Sequence, residues 1–222
     1  MDELRRAYHD RITGLRDQTI GIVRDAATSV ESVTAALLER DRSAADLVVT
    51  GSVEAQASVA TVESEVLDIL AQQSPVARDL RVVLASLRIA QVAELCLGLS
   101  RTLATRAGRG IDVMTSPLRA LIYEIGAQTS ELLHEANGAW ITLDEDRARA
   151  VIDTAAGSRD LQRRFLAELL GLSGVPTEAA VDLGMAARVY QRLIDHAVEI
   201  AGRVVFAVTG SPPHHVTEAT GR

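Results

Sequence analysis

Helix-breaking punctuation is so sparse in this chain that few folds other than a long-helix bundle remain open to it. Five prolines occur in 222 residues, Pro75, Pro117, Pro176 and the pair Pro212-Pro213. Between them lie stretches rich in Ala, Leu, Val, Ile, Glu and Arg. Ser74-Pro75 and Ser116-Pro117 each read as an N-cap followed by proline at the first helical position. Thr142-Leu143-Asp144-Glu145 has the spacing of a capping box with acid in the first turn. Six helices are predicted, at about 3–40, 44–72, 76–107, 117–140, 144–170 and 177–208, several of them roughly 45 Å long. Short connections between long helices make neighbours antiparallel, so the fold is expected to be all-α. Aromatic residues at 3% argue against a β-sandwich or barrel.

The last helix carries the clearest packing seam. Leu183, Ala186, Tyr190, Leu193, Ala197, Ile200, Val204 and Ala207 recur at alternating steps of three and four. The third and sixth helices look like counterparts. Arg88–Arg101 superposes on Met185–Val198, with Glu94 on Gln191 and Gly98 on Asp195. Each follows a helix of acidic and apolar residues. The expected architecture is two tandem antiparallel three-helix bundles, residues 1–110 and 111–209, joined near Arg109–Ser116. A flexible tail, 210–222, is expected after them.

Charge and cysteine content exclude several functions. The formal charge is −7, every basic residue is Arg, and there is no basic tract. Nothing therefore drives bulk binding to nucleic acid, and the membrane is expected to be reached only through partners. The apolar stretch Val82–Leu103 is interrupted by Arg88, Gln91, Glu94 and Arg101, and the first residues lack the apolar core of a signal peptide, so a cytoplasmic location is expected. One cysteine, Cys96, sits among Leu95, Leu97 and Leu99 and reads as a core residue. A single Glu131-x-x-His134 falls short of a di-iron site, which needs two such motifs and two further glutamates. The adjacent His214 and His215 lie in the tail. No glycine-rich phosphate loop or G-x-S-x-G is present, and no enzyme activity is expected.

The polar residues of the third and sixth helices remain. Arg88, Gln91, Glu94, Gly98 and Arg101 form one narrow stripe on an apolar helix. Arg188, Gln191, Arg192, Asp195, His196, Glu199 and Arg203 form a broader face on the other. A stripe that narrow on an apolar cylinder suits a groove. The arginines and glutamine, together with His196, are candidates for partner binding: Arg88, Gln91, Arg101, Arg188, Arg192 and His196.

Two segments carry a family resemblance. Gln73-Ser-Pro-Val-Ala-Arg-Asp79-Leu80-Arg81 resembles the QxPVAxDLR signature of PhoU-family phosphate-signalling regulators, and Arg192-Leu-Ile-Asp195-His196-Ala197-Val-Glu-Ile-Ala201 resembles their closing ERxxDHAxxIA motif. The resemblance implies a non-enzymatic negative regulator. Such a protein relays between the ATPase subunit of a phosphate ABC transporter and a sensor histidine kinase, and a homodimer is expected. The alternative is a diverged accessory protein of another phosphate or ion transporter, with metal and kinase roles lost. Family members carry a Glu/Asp-xxx-Asp pair in each repeat, associated with metal binding. Here Glu94 keeps its acid but Gly98 replaces the second, and Asp195 keeps its acid where Gln191 replaces the first. Glu94 and Asp195 are thus the candidate metal ligands, and no cofactor beyond a weakly held divalent ion is expected. The competing reading pairs these acids with Arg192 or Arg101 on neighbouring turns.

Overall fold

The structure, a computed structural model, describes residues 2–39, 41–107 and 114–211. The junction expected around Arg109 and the boundary between residues 110 and 111 fall outside the described residues, as do Pro212-Pro213, the paired histidines and the rest of the tail after Ser211. Among the described residues every regular element is a helix: α1 (Asp2–Glu39), α2 (Arg42–Gln73), α3 (Ala77–Ala107), α4 (Ser116–Thr142), α5 (Glu145–Ala156), α6 (Ser158–Gly171) and α7 (Thr177–Thr209). The six expected rods are present. The fifth is interrupted at Gly157, whose N–H bonds to the carbonyl of Thr154, while the buried Ser158 hydroxyl bonds to Ala155 O.

Three expected caps are displaced by a residue or more, two because the preceding helix claims the residue and one because the helix begins a residue earlier. Ser74 closes α2 in the left-handed region (φ 46°) and does not open α3, which begins at Ala77. Thr115, not Ser116, caps α4, its hydroxyl accepting from Leu118 N–H, and Ser116 and Pro117 lie inside the helix. Thr142 belongs to the last turn of α4 and donates to Gly138 O, so Asp144 caps α5 by accepting from Arg147 N–H at 3.0 Å. At the start of α2, Asp41 does the same for Ser43 and Ala44.

The central layer holds α1, α3, α4 and α7. It packs α1 on α4 and α3 on α7, with α2 laid across α1 and α3 and the α5–α6 rod across α4 and α7. Arginines fix the direction of both central contacts. Arg16 near the start of α1 donates to the carbonyls of Trp140 and Ile141 at the end of α4 (2.9 and 3.0 Å), and Arg119 near the start of α4 donates to Leu38 O at the end of α1. Arg81 near the start of α3 donates to Ala207 O and Val208 O at the end of α7, while Arg106 near the end of α3 pairs with Asp182 near the start of α7. Both pairs are therefore antiparallel. In three of the four contacts a guanidinium meets the negative end of a helix dipole and satisfies carbonyls left without intrahelical partners.

One continuous hydrophobic core runs through both halves. All eight residues of the seam expected on the last helix are buried in it. α3 is apolar over a stretch long enough to cross a bilayer, and 56% of that stretch is buried inside the fold. Those residues supply the core contacts with α1, α2 and α7.

Two close approaches separate what glycine does at helix crossings. A Cβ on Gly126 would stand 2.5 Å from Thr34 Oγ1 and 2.9 Å from its Cβ. Thr34 is stiff at χ1 and held by hydrogen bonds to Val30 O (2.7 Å) and the Tyr190 hydroxyl (2.8 Å). A Cβ on Gly138 would overlap the guanidinium of Arg147, the far end of a flexible chain. Gly126→Ala should therefore cost about 1–3 kcal/mol through overpacking of α1 against α4. Gly138→Ala should be neutral to within about 1 kcal/mol, because gained helix propensity offsets the shift of Arg147. Chemical denaturation of the two variants checks this, and equal midpoints would contradict it.

Candidate functional site

The stripe of α3 lies where α2, α3 and α7 meet. Ser52 and Gln56 from α2, Glu94, Leu95, Gly98, Leu99 and Arg101 from α3, and Arg192 from α7 line an open groove of about 400 Å³. The stripe itself divides in two. Its upper part is consumed by the fold: Arg88 pairs with Glu199 of α7 at 2.9 Å, and Gln91 donates to Glu63 of α2 at 3.0 Å. Its lower part, Glu94, Gly98 and Arg101, faces the groove. A side chain at Gly98 would meet nothing within 4 Å, so this wall of the groove is open.

The candidate residues on α7 are distributed differently. Arg192 is exposed and reaches the groove from the opposite side. Arg188 is exposed and does not line it. Asp195 is exposed and accepts a hydrogen bond from Gln191 at 2.9 Å. The ion pairs weighed from the sequence, Glu94 or Asp195 with Arg101 or Arg192, do not form among the described residues. Neither Arg101 nor Arg192 has an ion pair or side-chain hydrogen bond there, so two unneutralised guanidinium groups converge on the groove.

Beside the groove is a tight charged knot that sequence reading registered only as part of a solvated face. Glu199 Oε1 takes Arg88 at 2.9 Å and Arg203 at 3.4 Å, and His196 Nδ1 lies 3.8 Å from Oε2. His196 foremost, then Arg88 and Arg203, outweigh partial burial and bring the Glu199 carboxyl down to about 2. His196 is therefore turned inward, and its Nε2 is buried without a hydrogen-bond partner among the described residues. Cys96 is fully buried and burial, foremost, pushes its thiol up, so it packs rather than reacts. His134 bonds to Glu31 of α1 at 2.9 Å.

The signature segment at the start of α3 is a clamp among three helices. Asp79 accepts from the Tyr8 hydroxyl of α1 at 3.0 Å, and Arg81 closes the end of α7 as described. Partial burial and the bond to Asp79 push the Tyr8 hydroxyl up to about 12. An acid in the first turn of α3 suits the helix dipole, and the sequence does not mark its bond to α1.

The metal implied by the family resemblance does not fit the residues present. Hard divalent cations want several convergent oxygens. Glu94 shares its groove with Arg101, Arg192 and an open glycine, and Asp195 is spoken for by Gln191 outside it. Among the described residues no three Asp, Glu, His or Cys side chains come together in a metal-holding group.

No protein-family model matches the chain. Comparison with curated proteins finds the phosphate-specific transport system accessory protein PhoU homolog 1 of Mycobacterium leprae, 30% identical over 221 residues, covering 96% of this chain and 98% of the relative. PhoU homolog 2 of Mycobacterium tuberculosis is 28% identical, covering 95% of this chain and all of the relative. Among solved structures, PhoU from Pseudomonas aeruginosa superposes with a TM-score of 0.86 at 22% identity, covering 92% of this chain and all of that one. The phosphate transport system regulatory protein PhoU from Streptococcus pneumoniae gives 0.85 at 15% identity, covering 92% and 98%. With 30% identity across nearly the whole length of both chains, the chain belongs to the PhoU family.

Proposed function

We propose that the chain is an accessory protein of phosphate-specific transport that acts by protein contact. It represses the phosphate-starvation response by relaying between the ATPase subunit of a phosphate ABC transporter and a sensor histidine kinase. The observation that carries this is end-to-end similarity to proteins named for that accessory role, 96% of this chain against 98% of one of them. The groove adds a surface suited to docking, with charged groups the fold itself does not neutralise. A relay of this kind works only if the protein binds two partner states with different affinity, so contact surfaces and not turnover are what it needs. The reading places the protein in the cytoplasm, as a homodimer, with no required cofactor and no direct membrane or nucleic-acid contact.

Deleting the gene tests it. Alkaline phosphatase is expected to become constitutive in high phosphate, and a chromosomal copy should restore repression. Pull-downs from high- and low-phosphate cultures should recover the transporter ATPase and a histidine kinase in phosphate-dependent amounts. Unchanged repression in the deletion strain would overturn the regulatory reading. The split acid pairs favour one second reading, an accessory chain of another phosphate or ion transporter, for which uptake changes while phosphatase repression stays intact.

A further inference from the structure

The groove between α2, α3 and α7 is lined by two arginines and one acid, Arg101, Arg192 and Glu94, so it carries a net positive charge. Arg101 and Arg192 enter it from two helices without a counter-ion among the described residues, in a chain whose net charge is −7. By contrast, Arg11, Arg81, Arg88, Arg106, Arg147 and Arg203 are held by carboxylates or a helix end. Two arginines without a counter-ion among the described residues, lining one concavity, suit a carboxylate, since planar forks match planar carboxylates.

Three further features select the kind of anion. Glu94, half-buried in the same groove, repels a small multiply charged ion but accepts N–H groups of a backbone. Leu95, 50% exposed, and Leu99 offer an apolar wall. Gln56 is exposed on the α2 rim with both amide functions free of partners among the described residues. A lone oxyanion would leave the apolar wall and Glu94 unused. We propose that this groove docks an extended segment of a partner protein, its acidic side chain held between Arg101 and Arg192 and its neighbouring apolar side chain laid on Leu95 and Leu99.

This rests on the reading of the chain as a protein-contacting accessory factor, but its test uses the purified full-length chain alone. Failure here therefore leaves the transport reading standing, and the reverse. The probe is a short fluorescein-labelled peptide of alternating Leu and Glu, followed by anisotropy beside its Leu–Gln counterpart. The Leu–Glu peptide should bind, several-fold more weakly at high salt, and the Leu–Gln peptide should not. The double variant Arg101→Gln, Arg192→Gln should weaken binding by about tenfold or more, the loss of two charge-assisted bonds. Gly98→Asp places a carboxylate on a half-buried turn where a Cβ meets nothing within 4 Å, so it should fold normally and also weaken binding. Absent or equal binding of the two peptides, indifference to the arginine pair, or displacement of the peptide by inorganic phosphate at matched ionic strength would each overturn the assignment.

Discussion

Trp140→Ala is expected to lower the stability of the chain by about 3–5 kcal/mol, more than any other single truncation in the bundle. Trp140 is fully buried, is the largest side chain in the core and is the only tryptophan. It sits in the last two turns of α4, where α1 crosses in the opposite direction. The guanidinium of Arg16 lies 5.3 Å from the centre of its ring and donates to the carbonyls of Trp140 and Ile141. Removing the indole therefore opens a large void and also takes away the surface on which the capping arginine rests. Trp140→Phe should recover more than half of the loss, because most of the apolar volume returns. Arg16→Gln should cost less, about 1 kcal/mol, since it removes the cap but leaves the packing. Urea denaturation followed by far-ultraviolet circular dichroism measures all three, the fluorophore being lost in two of them. A Trp140→Ala midpoint within error of wild type would mean that α4 does not end against α1 as described.

How much of this was legible beforehand depends on which physical signal each element uses. The seam of α7 was readable residue by residue because burial and helical periodicity coincide there. The rods were readable because proline and glycine are scarce. Caps were not, because a Ser, Thr or Asp beside a proline suits the end of one helix as well as the start of the next. Ser74 shows this: its polar side chain looks like an N-cap, while its left-handed backbone terminates α2. The break at Gly157 follows the same logic, since one glycine within a long helix is tolerated as often as it interrupts. The antiparallel central layer was invisible for a different reason. It depends on Arg16, Arg81, Arg106 and Arg119 reaching backbone or acid more than 70 residues away.

The candidate site was legible in outline only. The stripe on α3 was found by spacing, and Arg101 and Arg192 do converge. Ser52 and Gln56 were missed, because nothing in α2 marks the register in which it crosses α3. Glu94 and Asp195, the acid kept in each repeat, serve different surroundings. Glu199 was noted as one of seven polar residues on a face, whereas with Asp182 it ties α7 to α3.

Glu199→Gln should remove a defined, pH-dependent part of the stability. In the folded chain the carboxyl is held at about 2 by His196, Arg88 and Arg203, against 4.5 without them. A depressed carboxyl pKa stabilises the fold wherever the unfolded chain has already ionised, so the contribution is complete above about 4.5. It declines as the pH falls from there and is gone below about 2, where both states are protonated. At neutral pH the variant should be less stable by roughly 2 kcal/mol, discounted for the solvent that reaches the pair. The neutral amide leaves Arg203, one quarter exposed, without its carboxylate, and His196 without the charge it faces. Arg88→Gln should cost less, because Arg88 is about half exposed and water replaces much of what it loses. The decisive measurement is denaturation midpoint against pH from neutral to acid for wild type and Glu199→Gln. The two curves should converge as the pH falls toward 2, the wild type losing stability faster over that interval. Parallel curves would show that the carboxyl is not tied to α3 and that the groove beside it has no rigid wall on that side. Convergence would mean that the wall opposite Arg101 is held by charge, so any partner entering there meets a surface fixed before it arrives.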